Sequence, residues 1–359
     1  MKIGIVTYHR TLNYGAVMQA LATRFVLEEM GHEAYYVDYW PDYHQEMYSI
    51  FSKKKFKKLD LLRKIKFLFM LVKHYKSQKR RIENFEEFFQ TYIYPYSRPV
   101  DESFDVVLYG SDQIWRKQKA LGDYNPVYFG KNSFNTRHHI SYAASMGVLP
   151  DNDTDCEKLK ELVSHLEKIS VREEGLQHLL QSIGFTDVTL SLDPTLLLSS
   201  EQWDKYVPTK AYTGEKYVLV YIFGSNPFDL REIKIFAKEK GLKTIILRGY
   251  ARTKESATNI TSVGPSEFVR FIKNAEYVFS ASFHGLAFSI IYGKQFFTSF
   301  NSNAGRAESL FNQLGIKGRL LLPKASIPDD VIPIDYTIVR GKLKVLQEGS
   351  MKFLTEILK

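Results

Sequence analysis

The chain has a single cysteine, Cys156, in 359 residues, which rules out an intrachain disulfide and any metal site built on several cysteines. It has no apolar run near the roughly 20 residues that a membrane-spanning helix needs; the longest in its basic region covers 67–72. The opening MKIGIVTYHR lacks the apolar core and cleavage site of a secretory signal, so a reducing, cytoplasmic setting is expected. The first turn into a helix carries one glycine, in Asn13-Tyr14-Gly15, so the dinucleotide fingerprint G-x-G-x-x-G is absent. No internal repeat is evident. What remains, 44% hydrophobic and 25% charged residues, is the composition of a globular protein long enough for two ordinary domains.

The net charge of +9 comes from one stretch. Residues 53–81 hold thirteen Lys or Arg against one acid, Asp60, a local +12 that leaves the rest of the chain at −3. These cations interleave with Phe56, Leu61, Leu62, Ile65, Phe67, Leu68, Phe69, Leu71 and Val72. A helix of that kind, read over 52–92, suits the inner face of an anionic membrane. Nucleic acid is not expected, because no binding motif accompanies the charge. A solvated helical face packed on its lobe is the plainer alternative.

Along the chain, 2–7 reads as a strand, 16–30 as a helix and 33–39 as a strand, a βαβ opening that implies a parallel sheet. Further strands are expected at 105–109, 139–143 and Ile169–Val171, with a helix at 155–168. After a polar stretch through 196–215 the pattern restarts, with strands at 217–223, 244–247 and Tyr277–Ser280 and helices at 229–240 and 265–274. The expected fold is α/β, with two Rossmann-like lobes of parallel sheet flanked by helices. The N-terminal lobe covers 1–200 with a basic helical insertion at about 52–92, and the C-terminal lobe covers 201–335. The tail, 336–359, reads as a strand or turn and then an amphipathic helix that packs back on the N-terminal lobe.

The densest chemical signal is 277–297, YVFSASFHGLAFSIIYGKQFF. A strand runs into a Ser-rich turn, His284-Gly285 follows, and an apolar helix begins. A helix N-terminus is an anion site, and the imidazole there is the side chain whose ordinary pKa lies near neutrality. Proton transfer to a phosphorylated or carboxylated substrate is the chemistry this suggests; a capping or core histidine is the alternative.

Ser282-Phe283-His284-Gly285, with the apolar helix and Gly-Lys-Gln-Phe after it, resembles the signature of the polysaccharide pyruvyl transferases. Four more stretches agree in order: Asn13-Tyr14-Gly15-Ala16 with Gln19-Ala20, Gly110-Ser111-Asp112-Gln113-Ile114-Trp115, Ser141-Tyr142-Ala143-Ala144-Ser145-Met146-Gly147, and Ile169-Ser170-Val171-Arg172-Glu173. Asp193-Pro194-Thr195 and Gly315 to Arg319 add support. The resemblance implies a two-lobed, glycosyltransferase-B-like architecture. It also implies transfer of a pyruvyl group from phosphoenolpyruvate to two hydroxyls of one sugar, forming a ketal and releasing phosphate. The donor is a substrate, and neither a cofactor nor a metal is expected. The acceptor would be a surface polysaccharide or its lipid-linked precursor.

Residue by residue, the resemblance makes His284 the acid that protonates the enol and Arg172 the grip on the substrate anion. A salt bridge from Arg172 to Glu173 or Glu174 is the structural alternative. The family pattern Arg-Leu-His is Ser282-Phe283-His284 here, so a second cation must come from elsewhere, and Arg306 and Arg248 are the candidates. Asp112 is the best carboxylate for a base, unless it caps a helix. Asn13, Tyr14, Gly15, Ser111, Ser282, Phe283 and Gly285 are expected to line the cleft. Trp115 would stack on a sugar or fill core, and His9, just past the first strand, could reach the cleft. A sugar-nucleotide-dependent glycosyltransferase on the same architecture is the rival reading, and a binding protein without activity a third.

Overall fold

The computed structural model describes residues 1–48, 56–57, 59–249, 256–302, 304–328 and 330–359. Of the basic segment 53–81, residues 53–55 and 58 lie outside the described residues, as does the start of the helical insertion read from 52.

Two parallel sheets carry the chain. The first has strands β1 (Lys2–Val6), β2 (Glu33–Val37), β3 (Ser97–Arg98), β4 (Val106–Tyr109) and β5 (His138–Ser141), in the order β3-β2-β1-β4-β5. A pair, β6 (Ile169–Val171) and β7 (Val188–Leu190), continues beside it through a bridge from Ala144 to Val171. The second sheet has β8 (Tyr217–Ile222), β9 (Lys243–Arg248), β10 (Asn259–Ile260), β11 (Tyr277–Ser280), β12 (Gln295–Ser299) and β13 (Leu320–Leu321), in the order β10-β9-β8-β11-β12-β13. In their lobe's own count the orders run 3-2-1-4-5 and 3-2-1-4-5-6, the Rossmann winding. Strands β4 and β8 are buried along their whole length, as apolar strands covered on both faces should be. The expected α/β, two-lobed, glycosyltransferase-B-like architecture is the one observed.

The first helix, Tyr14–Glu29, is buried from Tyr14 to Leu27. No stripe of polar residues interrupts it because it lies between the first sheet and the second lobe, touching helices Pro265–Lys273 and Phe283–Ile291. Tyr14 is the fastener. Its ring stacks on Phe85 at 5.2 Å and on Phe268 at 4.8 Å, and its hydroxyl donates to the Val263 carbonyl at 3.0 Å. Phe85 comes from the long helix Leu61–Tyr92, whose second half is therefore structural.

Two local expectations change. The tail holds one continuous helix, Tyr336–Ile357, rather than a strand or turn before a helix. Asp335 caps it by accepting from the Thr337 amide at 2.8 Å. Its beginning touches the second lobe, where the Tyr336 hydroxyl donates to the Ser289 carbonyl. Farther along, the Ser350 hydroxyl accepts from the Leu192 amide at 2.9 Å. The polar stretch between lobes also contains a helix, Ser200–Tyr206, started by a Ser199–Gln202 capping box. Its polar residues conceal Trp203, fully buried with its indole N–H donating to the Thr195 carbonyl.

Candidate active site

Strand order reverses between β1 and β4 in the first lobe and between β8 and β11 in the second, and ligands in such sheets bind beyond the carboxyl ends at that point. Asn13–Gly15 follows β1, Ser111 and Asp112 follow β4, Arg172 follows β6 and His284 follows β11. All four strand ends face one place.

At its centre is Asp193. Its Oδ2 takes a very short hydrogen bond from Arg172 Nη1 and lies 3.4 Å from both His284 Nε2 and Ser111 Oγ. Its Oδ1 accepts from the Thr195 amide at 3.0 Å and the Thr195 hydroxyl at 2.6 Å, so the Asp-Pro-Thr turn fixes the carboxylate. Burial alone would raise the pKa of Asp193. The charges of His284 and Arg172 outweigh it and hold the group well below the ordinary carboxylate range. Asp193 thus stays ionised and presents its charge to Nε2 of the imidazole.

Two loops brace Arg172. The Ser111 hydroxyl accepts from Arg172 Nη1 at 3.2 Å and donates to the Ala143 carbonyl at 3.0 Å. Asp112 and Ala143 both adopt positive φ, 56° and 47°. The Asp112 carbonyl accepts from the Ser145 amide at 3.1 Å, and Arg172 donates its own amide to the Ala144 carbonyl. The motifs after β4 and β5 are therefore one interlocked unit. Asp112 Oδ1 sits 3.6 Å from Arg172 Nη2, and its side chain, with half-buried Arg306, forms the more open side of the cluster. Neither Glu173 nor Glu174 is the partner of Arg172: Glu173 instead takes a short hydrogen bond from the Ser145 hydroxyl. Burial raises the pKa of Glu173, although Arg172 and that hydrogen bond oppose the shift.

His284 is the second residue of helix Phe283–Ile291, whose Ser282 cap makes no side-chain hydrogen bond to the helix. The ring lies directly on the backbone of Gly15; a Cβ there would fall 2.0 Å from Nδ1. Gly285 is required by a similar approach, since its Cβ would meet Ser280 Oγ at 2.2 Å. Phe283 carries two cations on its ring, with Arg172 Cζ 4.9 Å and Arg306 Cζ 5.5 Å from the centroid. Burial, and then the repulsion of Arg172, lower the pKa of Arg306 to about 10, which leaves it charged at neutral pH. Arg172 Nε and Nη2, Arg306 Nε and His284 Nε2 are all buried without a hydrogen-bond partner. Two of these nitrogens face carboxylates, His284 Nε2 at 3.4 Å from Asp193 and Arg172 Nη2 at 3.6 Å from Asp112, which leaves the buried Nε atoms of Arg172 and Arg306 as the donors open to an anion.

The sequence points to several residues that do not join this cluster. Trp115 is fully buried, stacked on Phe129 at 5.0 Å with its indole donating to the Tyr128 carbonyl, so it has no face for a sugar. Tyr14 is likewise buried between the lobes and does not line a cleft. Asn13 caps its helix by accepting from the Gly15 amide. Arg248 donates to Asn259 at the β10 edge, two strands from β11 and away from the cluster. His9 stacks on Tyr36 at 5.3 Å and lies 3.7 Å from Asp38. Asp193 and Glu173 were the residues sequence reasoning passed over as site members. The signal for Asp193 was present in its Asp-Pro-Thr turn; for Glu173 it was only adjacency to Arg172.

A family model described as polysaccharide pyruvyl transferase matches residues 13–302. The chain belongs to that family. The matched region contains every member of the cluster except Arg306, which lies just beyond it. No curated protein shows a sequence match to this family member. Among solved structures, UDP-GlcNAc 2-epimerase from Methanocaldococcus jannaschii is similar at 12% identity and TM-score 0.45, over 100% of this chain and 99% of that one. The corresponding epimerase from Rickettsia bellii is similar at 14% identity and TM-score 0.48, over 99% and 95%. A functionally uncharacterized protein from Klebsiella pneumoniae is similar at 10% identity and TM-score 0.46, over 90% and 93%.

Proposed function

We propose that the protein transfers the pyruvyl group of phosphoenolpyruvate to two hydroxyls of one sugar in a polysaccharide or its lipid-linked precursor. The observation that carries this reading is the pair of guanidiniums, Arg172 and Arg306, that meet over the Phe283 ring next to His284, each with a buried Nε that has no hydrogen-bond partner. A donor with a carboxylate and a phosphate needs two cations, and planar guanidiniums suit both groups. Arg306 takes the part of the arginine that the family carries where Ser282 stands. It reaches the same aromatic ring from helix Gly305–Leu314.

His284 gives a proton to the methylene carbon, and the adjacent carbon becomes electrophilic. One sugar hydroxyl adds there, the carbon–oxygen bond to phosphate breaks, and the second hydroxyl closes the ketal. The two hydroxyl protons balance the one gained by the methyl group and the one leaving with phosphate. Asp112, on the open side, is the base for an attacking hydroxyl, and Asp193 is a positioning residue that orients both His284 and Arg172. Burial of the cluster strengthens each of these charge interactions.

The test is acceptor-dependent phosphate release from phosphoenolpyruvate, with mass spectrometry of the acceptor for one added carboxyethylidene unit. Arg306→Gln should raise the KM for phosphoenolpyruvate while leaving acceptor KM unchanged. Nucleotide binding with sugar transfer, and no phosphate release, would assign the protein to the rival glycosyltransferase reading.

A further inference from the structure

The first half of helix Leu61–Tyr92 has two apolar faces, and only one is covered. Phe67, Met70 and Leu71 are half-buried and His74 is buried, all on the side turned to the protein. On the other side Leu61, Ile65, Leu68, Val72 and Tyr75 follow 4-3-4-3 spacing, with Leu62 and Phe69 beside them. All seven are exposed, between 44 and 80%. A single exposed leucine is ordinary, but a continuous stripe of this length marks an interaction surface. The same helix is anchored farther along. Arg81 donates to the Leu12 carbonyl at 2.9 Å and lies over the Tyr14 ring at 4.5 Å. The exposed face therefore sits on a fixed element.

Cations border the stripe. Arg63, Lys66, Lys73, Lys76, Lys79 and Arg80 are exposed. Arg63 pairs with Asp60 at 3.1 Å and Lys79 with Glu83 at 3.6 Å. Among the described residues, Lys66, Lys73 and Lys76 have no acidic partner. Arg81, by contrast, is buried and unavailable.

We propose that this face docks the protein peripherally on an anionic lipid surface. Its apolar side chains enter the headgroup–acyl boundary, and Lys66, Lys73 and Lys76 meet lipid phosphates. Charge selects this occupant. A second copy of the chain would match the apolar stripe but set one +12 segment against another. A nucleic acid would satisfy the cations and leave the apolar side chains in water. No described helix is long and apolar enough to cross a membrane. The proposal is independent of the catalytic reading, because it rests on a different face.

Co-sedimentation of the full chain tests it, with vesicles of phosphatidylcholine alone and of equal parts phosphatidylcholine and phosphatidylglycerol. The wild type should sediment only with the mixed vesicles. Binding should weaken as salt rises from about 0.1 to about 1 M, where the Debye length falls from about 10 to about 3 Å. The triple variant Lys66→Gln, Lys73→Gln, Lys76→Gln should lose affinity on the order of a hundredfold. Ile65→Gln, Phe69→Gln, Val72→Gln together should lose at least about tenfold. All six positions are exposed, so both variants should melt as the wild type does. Equal binding to the two vesicle types, or none to either, overturns the proposal. So does a solution dimer dissolved by the apolar variant, or retention of single-stranded RNA by a wild type that ignores vesicles.

Discussion

Gly15→Ala is a one-methyl change whose sign depends on His284. Gly15 lies in the first turn of helix Tyr14–Glu29, where Ala for Gly would ordinarily stabilise by about 1 kcal/mol. The added Cβ would stand 2.0 Å from His284 Nδ1, 2.4 Å from Cγ and 2.8 Å from Cβ. Ordinary carbon contacts lie at about 3.5–4.0 Å, so the ring must move by about 1 Å or more. It has little room, with the Phe283 ring at right angles to it at 5.4 Å and Asp193 3.4 Å from its Nε2. Overpacking of this kind costs about 1–3 kcal/mol, so the net loss of stability should be about 0–2 kcal/mol. Activity should suffer more, by roughly 10²-fold, because a displaced proton donor no longer meets its substrate. Thermal melts and acceptor-dependent phosphate release, measured as a double-mutant cycle with His284→Ala, decide the matter. With the ring removed, only the 2.8 Å approach to the Cβ of residue 284 remains, so Gly15→Ala should destabilise clearly less than it does in the wild type. An equal destabilisation in both backgrounds would refute the contact, and full activity in Gly15→Ala would refute the role of the ring.

His284→Ala and His284→Gln should each lower turnover by roughly 10²–10⁴ in a folded protein, since neither side chain supplies the proton; near-normal turnover in either removes His284 from the chemistry. Asp193→Asn should destabilise by about 3–5 kcal/mol at neutral pH, because Arg172 loses its buried counter-charge. The depressed pKa of Asp193 sets the pH dependence: its contribution is complete above the ordinary Asp pKa of about 4 and declines as pH falls toward the folded value. The stability gap between wild type and variant should therefore narrow in acid, and a gap that widens contradicts the pairing. Trp115→Ala should cost about 3–5 kcal/mol as a core deletion, while Trp115→Phe should leave the KM of the acceptor unchanged. A raised acceptor KM at unchanged melting temperature would return Trp115 to a sugar-stacking role.

The strand order came only from the structure, but the parallel α/β character of both lobes was legible because strands buried on both faces read as apolar runs, and 277–280 and 169–171 match observed strands without adjustment. The short edge strands were not. Ser97–Arg98, Asn259–Ile260 and Leu320–Leu321 are two residues each, set by pairing to a neighbour rather than by any local pattern. His284 was legible from the strand, Ser-rich turn and helix around it, and Arg172 from its match to the family's arginine. Asp193 was quoted as a motif but not as a site member, because its chemistry depends on two residues distant in sequence. Arg306 stood as one of two candidates until the distance to Phe283 separated it from Arg248. Trp115, open between sugar and core, and Tyr14, expected in the cleft, both turn out buried in packing, and for one reason neither outcome was legible. An aromatic in a motif next to a cleft serves either ligand or packing, and only burial distinguishes the two.

That ambiguity resolves into a division of labour within three consecutive residues. Asn13 caps the helix, Tyr14 fastens the first lobe to Phe268 of the second, and Gly15 leaves the space into which His284 fits. His284 and Arg172 come from different lobes, so their distance is fixed only while the lobes stay docked. A motif outside the charged cluster is then as necessary to its geometry as the residues within it. The same holds for Phe283, which draws guanidiniums from both lobes onto one ring. Relaxing the Tyr14 contact should therefore weaken anion binding and catalysis together, through geometry and without removing any charged group.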